Sequence, residues 1–181
     1  MKFLLTGQES ERLIFRKLEE SDFDWWMGFA SNKMATRYFS FAENSNPRKF
    51  CQFWFDKVFE RYKNNTGGHN VLVNKFTNER VGMCGLLVQE IDGTKELEIG
   101  YSLHPDFWKQ GYATEAAIKC KVFAFENSFA DSLISIIHKE NAASMKVAKA
   151  NGMEVEKSVI FNEIPVLIFR IYHNSTNHHK R

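Results

Sequence analysis

The sequence predicts a mixed α/β (α+β) fold in which antiparallel strands come first and a single parallel junction, flanked by helices, follows. Three observations predict it. Asn70–Phe76, Arg80–Ile91 and Glu96–Leu103 read as strands joined only by Thr77-Asn78-Glu79 and Asp92-Gly93, and connections this short make neighbours antiparallel. Leu133–His138 is a short, mostly apolar run that lies beyond a helical stretch, so it pairs in parallel with Glu96–Leu103 through a right-handed crossover. The apolar fraction is 44%, with 17 Phe in 181 residues, enough for a sizeable packed core.

The elements follow in order. Arg12–Leu18 alternates and opens the sheet. Ser21 is read as an N-cap, with Asp22 and Asp24 in the first turn of a helix to about Ala30 whose apolar face carries Trp25, Trp26 and Phe29. Asn32–Phe39 is read as another short helical turn. Asn46-Pro47 pairs a cap with a proline at the first helical position, and Phe50, Phe53, Trp54, Val58 and Tyr62 continue at helical spacing to Lys63. Asn64 to Gly68 ends that helix. Gly82 and Gly85 imply a bulge or close backbone contact in the long strand. Thr114–Phe125 forms a helix with Ala117, Ile118, Val122 and Phe125 on one side. Asn141–Ala150 forms a second, stopped by Asn151-Gly152. Val155–Phe161 and Pro165–Tyr172 close the chain as an antiparallel pair. The aromatic density of the N-terminal third fits either a core or a substrate cleft.

Bulk properties narrow the function classes. A formal charge of +2 argues for neither a nucleic acid nor a membrane partner. No apolar stretch approaches the ~20 residues of a membrane helix. Cys51, Cys84 and Cys120 are odd in number and widely spaced, so reduced thiols in a cytoplasmic protein are expected, with no metal site. One domain is expected over residues 1–173. The polar tail over 174–181 contains His178-His179, read as solvated rather than metal-binding.

The most informative stretch is Leu97–Ala116, LEIGYSLHPDFWKQGYATEA. Leu97, Ile99, Tyr101 and Leu103 alternate with Glu98, Gly100 and Ser102, giving an apolar and a polar face. His104-Pro105 ends the strand. Lys109-Gln110-Gly111-Tyr112-Ala113-Thr114 then leads into the helix. The small Gly111 and Ala113 let a ligand approach the backbone, and N–H groups at a helix start favour an anion. From these residues alone, an ordinary turn and N-cap is the commoner reading.

This run resembles the acetyl-CoA-binding motif of the GNAT superfamily of N-acetyltransferases. It is most similar to the RimJ/RimL branch of ribosomal-protein N-terminal acetyltransferases, whose motif has the form E-I-G-Y and then W-G-K-G-Y-A-T-E-A. Trp108, Gly111, Tyr112, Ala113, Thr114, Glu115 and Ala116 match, whereas Lys109-Gln110 stands where the branch has Gly-Lys. A second match is His138–Ser144 followed by Gly152-Met153, against E-N-x-x-S and then G-F: Asn141 and Ser144 agree, and Met153 replaces Phe. The two motifs together cover about 95–155. The E-R-L-x-x-R start at Glu11, Arg12, Leu13 and Arg16 gives only a general likeness.

The resemblance implies a GNAT-like mixed sheet, acetyl-CoA as co-substrate, no metal, and an amine acceptor that is a protein N-terminus or a small molecule. Backbone groups of Lys109, Gln110, Gly111, Tyr112, Ala113 and Thr114 would hold the pyrophosphate. Lys109 is either an added cation there or simply exposed. Backbone N–H groups near Leu103 become available for the thioester carbonyl if the parallel strands splay past Gly100. The acceptor amine must lose a proton, from a pKa near ~8 for an N-terminus or ~10.4 for lysine. Glu98 is chosen as the base, acting directly or through a water; the alternative is a solvated carboxylate paired with a cross-strand lysine. Glu96, on the same face, is a substitute. Much of the superfamily protonates the leaving thiolate with a tyrosine seven residues after the motif asparagine, where this chain has Ala148. Ser144 is therefore assigned a role at the thiol, positioning rather than donating, against a plain helix-surface serine. Asn141 would orient the pantetheine arm while capping its own helix. Glu43, Asn44 and Arg48, in the loop between helices, would set acceptor specificity.

The leading function is an acetyl-CoA-dependent N-acetyltransferase. Its rival is a non-catalytic acyl-CoA-binding module or sensor, consistent with the missing tyrosine and the altered first glycine. A nucleotide binder is weaker, because neither G-x-x-x-x-G-K-[ST] nor G-x-G-x-x-G is present. A homodimer is left open, since strand edges and aromatics invite pairing.

Overall fold

The computed structural model describes residues 2–42 and 45–173. Glu43, Asn44 and the tail with His178-His179 lie outside the described residues. Seven strands form one mixed sheet: β1 Leu13–Lys17, β2 Gly67–Asn74, β3 Arg80–Ile91, β4 Thr94–Leu103, β5 Ser132–His138, β6 Glu154–Phe161 and β7 Ile164–Tyr172. Their order is β1-β2-β3-β4-β5-β7-β6, so the last strand inserts beside β5. All neighbours are antiparallel except β4 and β5, as predicted. Asp92 and Gly93 both take positive φ (50° and 76°), which matches the twist of a two-residue hairpin and sets the β3–β4 register. Beside Gly82, one step on β2 (Leu72 to Val73) spans two on β3 (Gly82 to Arg80), the bulge foreseen there.

The main helices are α1 Phe23–Ala30, α2 Lys33–Thr36, α3 Pro47–Asn64, α4 Tyr112–Glu126 and α5 Ala142–Ala150. Asn46 caps α3 by accepting from the Lys49 N–H, and Asn65 ends it in the left-handed region (φ 53°). One core joins α4 to the sheet through Leu86, Leu97, Ile99 and Leu133. A second joins α1 and α3 to the other face through Trp26, Phe29, Phe50, Trp54, Phe55 and Met83. Those aromatics of the N-terminal third are core.

Several expectations are corrected. Ser21 is not the cap of α1. It lies in a single 3₁₀ turn, Glu20–Asp22, where Asp22 accepts from the Glu19 N–H at 3.0 Å. Asp22 is instead an anchor, 1% exposed, gripped by both Arg16 nitrogens at 2.7 Å and by Arg80 at 3.0 Å. Burial pushes its carboxyl up, and these donors more than reverse that and hold it below the usual range. Gly67 and Gly68 belong to β2 rather than to the turn. β2 stops at Asn74 because its side chain accepts from Phe76 N–H (2.8 Å) and Thr77 N–H (3.2 Å). The helix after the phosphate-type loop starts at Tyr112, two residues early, and buries Ala116, Ala117, Cys120 and Ala124; Ile118 and Val122 are exposed. Small residues face the sheet there, so the helix sits close and the bulkier apolar side chains fall at its rim. Arg48 lies within α3, its guanidinium 5.4 Å from the Phe23 ring centroid, not in a loop.

Candidate active site

The site is built where β4 and β5 part. Their ladder has one register pair, Glu98 with Ile134. The next rung would take the Ile99 carbonyl, but the buried Ser135 hydroxyl donates to it at 2.8 Å. Past Gly100 the strands are therefore separate. The His104 N–H reaches the Val81 carbonyl at 3.0 Å. By antiparallel alternation the Leu103 N–H and C=O then point away from β3, into the seam. Trp108 Nε1 donates to the Leu103 carbonyl at 2.8 Å, which leaves the N–H facing the opening. Both α4 and α5 begin at this end of the sheet, since each follows one of the two parting strands.

The loop into α4 is shaped for close approach. Gly111 (φ 82°) and Lys109 (φ 61°) both adopt left-handed backbone, a conformation that costs an ordinary residue about 1–2 kcal/mol. Lys109, which stands where the resembled motif has glycine, thus takes a backbone conformation that favours glycine. The first helical hydrogen bond runs from the Glu115 N–H to the Gly111 carbonyl at 3.0 Å. The N–H groups of Tyr112, Ala113 and Thr114 consequently point out of the helix start. The side chain of Tyr112 is buried and accepts from Asn74 Nδ2 at 2.8 Å, so its contribution is the backbone. Lys109 and Gln110 are exposed, and Gln110 Nε2 donates to the Asp106 carbonyl at 3.0 Å. Behind the loop, Arg12 bonds the Gln110 carbonyl at 3.0 Å and Glu115 at 2.7 Å, and its guanidinium lies 4.3 Å from the Tyr112 ring centroid. Burial raises the Glu115 carboxyl, but Ser10 and Arg12 outweigh it and hold it low.

At the start of α5, Asn141 caps the helix by accepting from the Ser144 N–H at 3.1 Å. The Tyr101 hydroxyl crosses the seam to donate to the Ser144 carbonyl at 2.8 Å. Ser144 is half-buried beside the opening, so α5 is tied to β4 through it.

Glu98 departs from the alternative of a solvated carboxylate paired with a cross-strand lysine: it is 9% exposed and accepts from Gln89 Nε2 at 2.6 Å. Gln89 Oε1 in turn accepts from Arg61 Nη2 at 3.0 Å. Burial pushes the Glu98 carboxyl above the ordinary range, while the Gln89 hydrogen bond, the Arg61 charge and the Ile136 N–H act against that shift. Glu96 is held by Arg170 at 2.7 Å and is no free substitute. On the same face as Glu98, the His69 ring stands over Gly100. A Cβ at Gly100 would lie 3.1 Å from His69 Nε2. Burial, then the Arg61 charge, lowers the His69 pKa to about 3, so the ring is neutral.

Gln89, Arg61, His69, Tyr101 and Ser135 are side chains that sequence reasoning missed. Gln89 was within reach of hairpin arithmetic: the Asp92-Gly93 turn sets Gln89 opposite Glu96, hence diagonal to Glu98. Arg61 and His69 reach the site only by tertiary packing. No helix among the described residues is long and apolar enough to cross a membrane.

Comparison with known proteins agrees with this geometry. The profile of the acetyltransferase (GNAT) domain matches residues 12–154. The chain is 28% identical over 151 residues to the uncharacterized N-acetyltransferase p20 of Bacillus licheniformis, covering 81% of this chain and 82% of p20. It is 32% identical over 96 residues to the uncharacterized protein YkkB of Bacillus subtilis, which spans 53% of this chain and 56% of YkkB. Among solved structures, an acetyltransferase from Agrobacterium tumefaciens superposes with a TM-score of 0.78 at 21% identity, over 96% of this chain and 98% of that one. RimL, the ribosomal L7/L12 alpha-N-protein acetyltransferase, in complex with coenzyme A superposes at 0.74 and 15% identity, over 92% and 97%. Spermidine N-acetyltransferase from Vibrio cholerae, in complex with CoA and spermine, superposes at 0.69 and 14%, over 89% and 95%. The parted parallel strands, the helix starts beside them and the matching profile over most of the chain have one conclusion: this protein belongs to the GNAT family of acetyltransferases.

Proposed function

We propose that this chain is an acetyl-CoA-dependent N-acetyltransferase of the RimJ/RimL type, acting as one domain over residues 1–173. It transfers the acetyl group to a primary amine by direct attack within a ternary complex. The observation that carries the proposal is the seam between β4 and β5, closed at one end by Ser135 on Ile99 and flanked at the other by two helix starts. A pantetheine arm fits such a seam as an added strand, and a pyrophosphate fits the start of α4.

Acetyl-CoA would supply an acetyl thioester, already activated toward amines. The N–H groups of Lys109, Gln110, Gly111, Tyr112, Ala113 and Thr114 hold the pyrophosphate, with the Lys109 side chain adding charge. Asn141 fixes the start of α5 and orients the arm. The Leu103 N–H stabilises negative charge developing on the carbonyl oxygen. Glu98 takes the amine proton, and its raised pKa brings it nearer to neutrality than an exposed carboxylate. Ser144 positions the departing sulfur. The acceptor is a protein N-terminus or a small amine, the two chemistries carried by the RimL and spermidine acetyltransferase neighbours.

Calorimetry with acetyl-CoA, CoA, ATP and NAD, followed by product detection with a serine-initiated peptide and with spermidine, tests the reading. Selective binding of acetyl-CoA and CoA together with acetylated product supports it. Absent CoA binding overturns it. Binding with amine-independent thioester hydrolysis only assigns the chain to the acyl-CoA-binding modules.

A further inference from the structure

The Glu98 carboxylate is the end of a chain of three side chains from three elements. Arg61, in the last turn of α3, is anchored by donation from Nη1 to the Val88 carbonyl at 2.9 Å. Its Nη2 donates to Gln89 Oε1 at 3.0 Å. This fixes the amide, because an arginine has only donors and must meet the amide oxygen. Gln89 Nε2 is thereby forced toward Glu98, and it meets Oε2 at 2.6 Å. We infer that Gln89, oriented by Arg61, is a positioning residue that fixes the Glu98 carboxylate in place and favours its ionised form over the protonated one. The inference rests on the reading of Glu98 as the base.

The chemistry of an amide suits this task. A lysine or arginine in direct contact would form an ion pair and take away most of the basicity of the carboxylate. A neutral amide gives one hydrogen bond to the ionised form, and only to one oxygen. The Arg61 guanidinium contacts the amide rather than the carboxylate, so its charge bears on Glu98 from one side chain further away. Without the chain, burial alone would keep Glu98 protonated over a wider pH range, and a protonated carboxyl accepts no proton from an amine. The other groups bearing on Glu98 are the Ile136 N–H from β5 and Tyr101 on β4, together with the neutral His69 ring on β2 across Gly100. None of these is a cation, so Arg61 is the positive charge facing Glu98 among the described residues.

The test follows Glu98 directly, by a carbon-13 NMR titration of its carboxyl in the whole protein. Gln89→Met keeps the length and removes the donor. The Glu98 midpoint should rise by about one pH unit, and the acid limb of turnover with the accepted amine should rise with it. Acetyl-CoA affinity should not change. In the unsubstituted protein the Gln89 side-chain amide signals should titrate with the Glu98 midpoint, a measurement that holds even if the variant folds poorly. An unmoved midpoint, or amide signals indifferent to it, overturns the inference and leaves Glu98 as the base. A midpoint that moves while the turnover profile stays fixed overturns the base assignment instead.

Discussion

Ser135 donates from its hydroxyl to the Ile99 carbonyl at 2.8 Å, and this one hydrogen bond occupies the acceptor that the next β4–β5 rung would need. Ser135 is 1% exposed, so neither partner has water as an alternative. Ser135→Ala leaves the carbonyl unpaired or lets the strands zip. The loss of stability should be about 1–2 kcal/mol, read from urea unfolding. An unchanged unfolding midpoint would show that the seam does not depend on this bond.

Glu98→Gln should lower turnover on an amine at least tenfold while acetyl-CoA affinity stays intact, because in the proposed mechanism the residue takes a proton and holds no part of CoA. Retained turnover would remove Glu98 as the base.

The same group gives a stability prediction with a definite sign. Its folded pKa is raised, so between the unfolded value and the folded one the unfolded chain binds fewer protons than the native protein. Stability therefore falls as pH rises through that window and is level above it. Glu98→Gln removes this loss. Its advantage over the unsubstituted protein should be absent below the unfolded pKa and should appear as pH rises. Parallel stability–pH curves for the two proteins would contradict it.

Two loop positions separate backbone strain from ligand contact. Gly111 sits at φ 82°, so Gly111→Ala costs about 1–2 kcal/mol of stability through strain alone. Gly111→Glu pays the same strain and also brings a negative charge to the proposed pyrophosphate site, so it should abolish CoA binding where Gly111→Ala weakens it only modestly. Equal CoA affinities in the two variants would place the phosphates elsewhere.

Lys109 at φ 61° predicts the opposite effect. Lys109→Gly relieves the left-handed strain and should stabilise the fold by about 1 kcal/mol, measured by thermal or urea unfolding. If the lysine also pairs with the pyrophosphate, the variant binds CoA more weakly and with less salt dependence. A destabilised variant would mean that the lysine side chain holds the loop.

The sequence by itself determined the order and type of nearly every element, the hairpin at Asp92-Gly93, the parallel junction and the loop from Lys109 to Thr114. Those features follow from local periodicity and turn chemistry, which a few neighbouring residues decide. It also marked Glu98, Asn141 and Ser144, through alternation and resemblance. Only the tertiary structure decided what surrounds them. Alternation gave β4 a polar face and implied solvent, yet Glu98 is buried, because α3 covers that face and brings Arg61 over Gln89. The periodicity of α4 pointed to Ala117, Ile118 and Val122 as one apolar side; Ala117 is buried, yet close contact with the sheet selected Ala116, Cys120 and Ala124 in place of the other two. The seam itself depends on Ser135, whose hydroxyl looks like any strand serine until β5 is laid beside β4. Burial and the pairing of polar groups are set by what packs across from them, and that partner can lie anywhere along the chain.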